Sequence, residues 1–196
     1  MAITKMIQTY IFDLEDTIID KSIYARIYTP IIESLLENLK ISEIELQEVI
    51  SKLKKETGKE KIDTFALCKK LNSTELYYKV LTRYVKHTFS LKTKNISKIF
   101  KKIKASKKKI GIVSKSEKRT IEVFLKRFNL LDLVDFIESG NKDTVLFWVL
   151  LEKKYKIDKE STLVIDDSND ILDIAEHAGY NVLNVKDLDN LDKFEY

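Results

Sequence analysis

Thr9-Tyr10-Ile11-Phe12-Asp13-Leu14-Glu15-Asp16-Thr17-Ile18-Ile19 is the stretch on which the reading of this chain turns. A short apolar, aromatic and β-branched run that stops at an acidic cluster reads as a buried strand delivering carboxylates to its C-terminal edge. In an open α/β sheet that edge is where ligands bind. Asp13 falls at the strand's end, and Glu15, two residues on, can point back towards the same space. Carboxylates so placed can divide labour, one as nucleophile or metal ligand and the other as proton carrier. Acids also collect where a helix follows a strand, because they favour the helix dipole, so the stretch takes its meaning from what lies downstream.

Residues 22 to 90 change character from strand-like to helical. Ile23, Ile27, Pro30, Ile31, Leu35, Leu36 and Leu39 fall near helical spacing, with Pro30 marking a kink or a fresh helix start. Ser42 followed by Glu45 resembles a capping box and opens a helix that stops near Gly58. Asp63 can cap a short helix through Leu71, and Ser73 or Thr74 the next, which carries Leu76, Tyr77, Val80, Leu81, Tyr84 and Val85. From Asn95 the pattern alternates. A helix around Ile96 to Ile103 precedes a strand from Ile110 to Val113, and a helix around Ile121 to Phe128 follows it. Next come a strand from Val134 to Ile137, a helix from about Thr144 to Lys154, a strand from Thr162 to Ile165, a helix from about Asp170 to Ala178 and a strand from Tyr180 to Val185. Such alternation predicts an α/β fold with a mostly parallel sheet covered on both faces. The tail from Asp187 reads as a charged, loosely held end.

Three later stretches end a strand or open a helix with polar residues. Gly111-Ile112-Val113-Ser114-Lys115-Ser116 places the Ser114 hydroxyl at a strand tip, where it can hold a phosphoryl oxygen or cap a helix. Asn141-Lys142 precedes a helix, where a lysine is unfavourable beside the dipole's positive end, so Lys142 has a reason other than helix formation or is one more lysine in a lysine-rich chain. Leu163-Val164-Ile165-Asp166-Asp167-Ser168-Asn169-Asp170 puts three carboxylates on one strand-to-helix turn. They would repel one another without a hard divalent cation.

FDLEDT resembles the first motif of the haloacid dehalogenase-like (HAD) superfamily, an apolar strand followed by Asp-x-Asp-x-Thr/Val, with Glu15 where that pattern has aspartate. The order of strand-end Asp13, strand-end Ser114, helix-start Lys142 and strand-end Asp166-Asp167 is similar to that of the superfamily's four motifs. Ala175-x-x-Ala178-Gly179-Tyr180 looks like the continuation of the fourth. This resemblance implies a Rossmann-like three-layer core formed by residues 1–20 and 91–196, with residues 21–90 inserted as a helical cap. It also implies a Mg²⁺-dependent phosphatase acting on a small phosphorylated metabolite such as a sugar phosphate, nucleotide or phosphoglycolate. On that pattern Asp13 is the nucleophile that becomes an aspartyl-phosphate. Glu15 stands in for the acid/base aspartate and offers its backbone carbonyl to the metal. Ser114 and Lys142 bind phosphoryl oxygens, and Asp167 with either Asp166 or Asp170 ligates Mg²⁺.

Two departures carry consequences. Glutamate is one methylene longer than aspartate, and a displacement of about 1 Å can cost on the order of a hundredfold in rate. Ile171 stands where many members have a second acid. A catalytically silent phosphate- and metal-binding protein is therefore the alternative expectation. A receiver-like signalling domain is disfavoured by the long helical insertion.

Composition bounds the rest. The 196 residues are 44% hydrophobic and 34% charged with a formal net charge of +4, which suits a globular protein without a nucleic-acid partner. There is no apolar run of roughly eighteen residues and no leader-like N-terminus, so a cytoplasmic protein without a membrane partner is expected, as monomer or homodimer. The single cysteine, Cys68, excludes an internal disulfide and fits a reducing compartment. His87, His177 and Trp148 read as helix positions without metal-ligand spacing.

Overall fold

The computed structural model describes residues 6–58, 60–87 and 91–188. The chain divides into two compact units, one of residues 1–20 and 91–196 and one of residues 21–90.

The first unit is built on five strands, β1 (Thr9–Phe12), β2 (Lys109–Ser114), β3 (Phe136–Ser139), β4 (Thr162–Asp166) and β5 (Asn181–Asn184), in the order β3-β2-β1-β4-β5. Every pairing is parallel. Sequence alternation led to this expectation, and the sheet is the one it describes. β1 is central because all four of its residues are buried, so it needs cover on both edges and both faces. Tyr10 and Phe12 point one way, where the Phe12 ring lies 4.9 Å from that of Phe100 on the helix α5 (Ile96–Ala105). Ile11 points the other way, into a core shared with Val113, Val164, Trp148, Leu172 and Ala175.

Chain order fixes which helix covers which face. The crossovers β1 to β2, through α5, and β2 to β3, through α6 (Lys118–Arg127), run in one direction along the sheet. Those from β3 to β4, through α7 (Val145–Tyr155), and from β4 to β5, through α8 (Asn169–His177), run in the other. With right-handed crossovers, reversal of direction moves the helices to the opposite face and gives three layers. The reversal occurs beside β1, which leaves a crevice at its C-terminal end.

The ends of β2, β4 and β5 differ from the sequence expectation by one residue, and β3 by two. β3 begins at Phe136, not Val134, and runs on to Ser139. A 3-10 turn over Leu131–Leu133 uses up the apolar residues just before it, while Val113↔Glu138 and Ser114↔Ser139 extend the ladder through polar residues to the sheet's edge.

The second unit holds four helices among the described residues: α1 (Ser22–Leu39), α2 (Glu43–Thr57), α3 (Thr64–Lys70) and α4 (Thr74–His87). Ile23, Ile27, Ile31 and Leu35 form the buried stripe of α1, which continues through Pro30 without a break. Ser42 and Glu45 form the reciprocal capping box, and Gly58, at φ +66°, closes α2 by donating its N–H to Lys54 O. Asp63 caps α3 by accepting from Phe65 N. Ser73 borders α4, its carbonyl accepting from Leu76 N at 3.1 Å and its hydroxyl donating to Leu71 O at 3.0 Å. None of the described helices is long and apolar enough to cross a membrane. From residue 189 the expected loose tail lies outside the described residues.

Candidate active site at the tip of the central strand

All of the sequence-singled site residues lie in the α/β unit. Because the strands are parallel, Asp13, Ser114 and Asp166 arrive at one edge of the sheet. Asp13 is held by the ladder itself, its N–H donating to Ile165 O at 2.9 Å on β4. Its carboxylate is 5% exposed.

The chain then folds tightly back. Leu14 O accepts from both Ile18 N and Ile19 N at 2.9 Å, and Asp16 N donates to Ile19 O at 2.6 Å. Asp16 takes a left-handed backbone, φ +55°, a conformation that Asp tolerates better than most side chains because it can bond locally. This reversal brings the Glu15 carboxylate to the tip of β2. There Ser114 Oγ donates to Glu15 Oε2 at 2.6 Å and Ser116 Oγ donates to Glu15 Oε1 at 2.6 Å. Ser114 Oγ in turn accepts from Ser116 N at 3.0 Å.

Lys142 is buried, and its ammonium bridges two carboxylates, Asp13 Oδ1 and Asp166 Oδ2, each at 2.5 Å. It lies before the helix proper, since Thr144 is the residue that caps α7. Its backbone is fixed by Trp148, whose indole Nε1 donates to Lys142 O at 3.1 Å, while the Tyr180 hydroxyl donates to Trp148 O at 2.9 Å. Asp166 Oδ1 accepts from Ser168 N at 2.9 Å.

Asp13, Asp166 and Asp167 each offer an oxygen within 4.8 Å of the others. Asp170 lies apart from this group, exposed in the first turn of α8. The Glu15 side chain is engaged with the serines, as described above. The three grouped acids exceed the single charge of Lys142, and all their donors are hard oxygens, so the set fits a small divalent cation. Burial pushes the Asp13 carboxyl up to about 7; Lys142 opposes this, while Asp166 and Glu15 add to it. Burial alone would lower Lys142, but Asp13 and Asp166 outweigh it and hold the ammonium above its ordinary range.

Ser116 and Trp148 are the members that sequence reasoning did not single out for the site. Trp148 carried a signal, because a buried indole N–H needs a partner and none is available on an apolar helix. Ser116 carried only its spacing of two from Ser114, which leaves its side chain free to turn the same way.

A parallel sheet between two helical layers, with Asp13 on the central strand's tip bridged through Lys142 to Asp166 on its neighbour, defines an α/β protein whose site lies at the strand ends. The chain belongs to the haloacid dehalogenase-like hydrolases, whose family model matches residues 10–185. Among solved structures, it is similar to CbbY from Rhodobacter sphaeroides in complex with xylulose-1,5-bisphosphate. That likeness has TM-score 0.65 and 14% identity, over 91% of this chain and 86% of the other. A predicted phosphoglycolate phosphatase from Haemophilus somnus aligns with TM-score 0.58 and 17% identity, over 92% of this chain and 86% of the other. YfnB from Bacillus subtilis, bound to magnesium, aligns with TM-score 0.57 and 19% identity, over 91% and 88%. No curated protein matches in sequence.

Proposed function

We propose that the chain is a Mg²⁺-dependent phosphatase acting on a small phosphorylated metabolite through an aspartyl-phosphate on Asp13. The observation that carries this reading is the Lys142 ammonium, shared at 2.5 Å between Asp13 and Asp166 from a position 129 residues beyond Asp13. A buried lysine there offsets negative charge where a carboxylate must approach a phosphoryl group that is itself an anion. The bisphosphate in CbbY and the magnesium in YfnB add support for the substrate class and the cation.

In the first half-reaction an Asp13 carboxylate oxygen attacks phosphorus, forming an O–P bond as the ester P–O bond breaks. The leaving alkoxide takes a proton from Glu15. In the second half, water attacks the aspartyl-phosphate and gives its proton to Glu15, and inorganic phosphate leaves with Asp13 regenerated. Ser114 and Lys142 hold phosphoryl oxygens throughout. Asp13, Asp166 and Asp167, with the Glu15 carbonyl, are the groups that would hold Mg²⁺, which when bound supplies charge neutralisation at the phosphoryl oxygens. The 21–90 unit acts as a cap that selects substrates and excludes water. A reducing, cytoplasmic setting suits the buried thiol of Cys68.

The test is phosphate release from a panel of phosphorylated metabolites and an aryl phosphate, with and without Mg²⁺. Activity that needs Mg²⁺ and vanishes in Asp13→Asn is expected; equal rates for wild type and Asp13→Asn sink the proposal. The engagement of both Glu15 oxygens by serines favours a second reading, a silent protein that binds phosphate without turnover. A large gain in rate on Glu15→Asp would support it, and a loss would show glutamate in use.

A further inference from the structure

The formal net charge of +4 conceals an uneven distribution. Residues 91–129 carry 12 lysines and 2 arginines against 2 glutamates, and residues 91–116 hold no acid at all. The rest of the chain has 21 basic and 29 acidic residues. Segregation of one sign on that scale is the electrostatic footprint of a surface that meets a polyanion.

The fold keeps these charges together. α5 and α6 form one layer on the sheet, and with β2 they supply most of the basic segment. α5 buries Ile96, Ile99, Phe100 and Ile103, which leaves Lys98 and Lys101, about one turn apart, on its outer side. Lys92 and Lys94 precede the helix, and Lys107 and Lys109 follow it. All six are exposed, and none is in an ion pair among the described residues. Lys104 differs, because Asp135 neutralises it at 2.7 Å. The segment enters beside the turn after β1, with Lys92 N donating to Ile18 O, and leaves into the start of β2 at Lys109. The lysines therefore line this layer from one edge of the sheet to the other. The opposite layer has the other sign: residues 142–188, which include α7 and α8, hold 6 basic and 10 acidic residues.

We propose that the basic layer around α5 is a docking surface for the phosphate backbone of a nucleic-acid duplex. This is independent of the phosphatase reading, and it departs from the expectation drawn from overall composition. The ten residues of α5 make a helix about 15 Å long. A duplex carries one negative charge per about 1.7 Å of its axis, so roughly nine charges pass along that length. Lysine suits them as a point charge on a flexible stem. Residues 91–116 have no arginine, the side chain that forks onto guanine, so binding without sequence preference is expected. Two other polyanions fit less well. Among the described residues, none of the exposed large apolar side chains falls within 91–129. Unpaired bases thus find no aromatic ring to stack on, and a bilayer finds no side chain to enter its interface.

The test is fluorescence anisotropy of the full chain with labelled DNA and RNA duplexes of about 24 base pairs, at about 50 and about 200 mM KCl. With roughly four to six phosphates neutralised, affinity is expected to fall by about 10²- to 10³-fold between the two salts. The triple variant Lys94→Gln, Lys98→Gln, Lys101→Gln should weaken binding at low salt by at least about tenfold and reduce the slope of log Kd against log salt by about 3. The triple variant Lys52→Gln, Lys54→Gln, Lys55→Gln makes the same change in charge at exposed positions of α2 and should bind as the wild type does. Equal weakening by the two triple variants would reduce the effect to bulk charge and overturns the proposal, as does a duplex that fails to bind at low salt. Tighter binding of a single strand of the same length overturns it too, and so does capture by phosphatidylserine vesicles without binding of duplex. Lys101→Glu alone, a charge reversal on the outer side of α5, decides the matter where the first triple variant does not fold.

Discussion

Lys142 sits between two carboxylates that would otherwise face one another across a dry gap, and its removal has a calculable result. Breaking a buried ion pair from one side costs about 3–5 kcal/mol, because the partners left behind are charged and unsolvated. Lys142→Met is therefore expected to lower urea stability by that order in the absence of divalent cations, and added Mg²⁺ should recover part of the loss by binding the acids left without their counter-charge. An unchanged urea midpoint would show that the ammonium is not what reconciles Asp13 with Asp166. Asp13 supplies a second expectation, with an unusual sign. Its carboxyl is pushed up to about 7 from an ordinary 3.8, so between those values the folded chain keeps a proton that the unfolded chain has lost. The contribution of this group makes the metal-free protein less stable as pH rises from about 4 to about 7, the reverse of the salt-bridged carboxylate case. Asp13→Asn should remove that decline and Mg²⁺ should flatten it. Wild-type and Asp13→Asn stability curves that run parallel across the window would contradict the reading. Asp13, Ser114, Asp166 and Asp167 were legible because apolar runs end on them, and strand ends are points a sequence marks. The Ser116–Glu15 hydrogen bond was not, since it joins residues 101 apart. The position of Asp170 was left open by spacing alone and is decided by where α8 begins, which leaves it exposed in the first turn.

Strands and helices were easier to read than their ends. The capping box of α2 announced itself, because both of its partners lie within four residues. β3 did not, because its start depends on a preceding 3-10 turn and its last residues are polar. Those last residues, Glu138 and Ser139, are strand only because β2 beside them continues to Ser114. Gly111 shows how closely these strands are fitted. It pairs with Ile11 on one side and Phe136 on the other, and a Cβ there would lie 2.1 Å from the Phe136 ring. That ring is itself stacked on Tyr155 of α7 with centroids 4.1 Å apart, so it has little freedom to retreat. Gly111→Ala is expected to destabilise the protein by about 1–3 kcal/mol through overpacking. Thermal or urea unfolding checks this, and the companion substitution Phe136→Leu in the alanine background should recover part of the loss by opening space.

At the scale of the chain, the helical unit enters and leaves through neighbouring backbone. Ile19 pairs with Leu91, Lys92 N donates to Ile18 O at 2.9 Å and Thr93 Oγ1 donates to Thr17 O at 2.7 Å. The two connections are thus fastened together within the α/β unit. Replacement of residues 21–90 by a short flexible linker should leave a cooperatively folded α/β unit, because closing a short loop between adjacent points costs little entropy. Circular dichroism and a single melting transition would show it; a molten product would mean that the helices are needed to hold the sheet. On the proposed function, such a variant should keep hydrolysis of a small aryl phosphate and lose discrimination among metabolites. The existence of this insertion was visible in the change from alternating to helical periodicity, whereas the fastening was not, since it joins residues that the sequence keeps some seventy apart.

The central place of β1 has a bearing on biosynthesis. Its neighbours begin at Lys109 and Thr162, roughly 100 and 150 residues later, so during translation at about 5–20 residues per second this sticky apolar segment waits several seconds for either partner. The intervening helices can form as they emerge, but β1 has neither neighbour until β2, which begins at Lys109, has been made. The sheet is therefore closed late, when the second half of the chain delivers both neighbours of its middle strand.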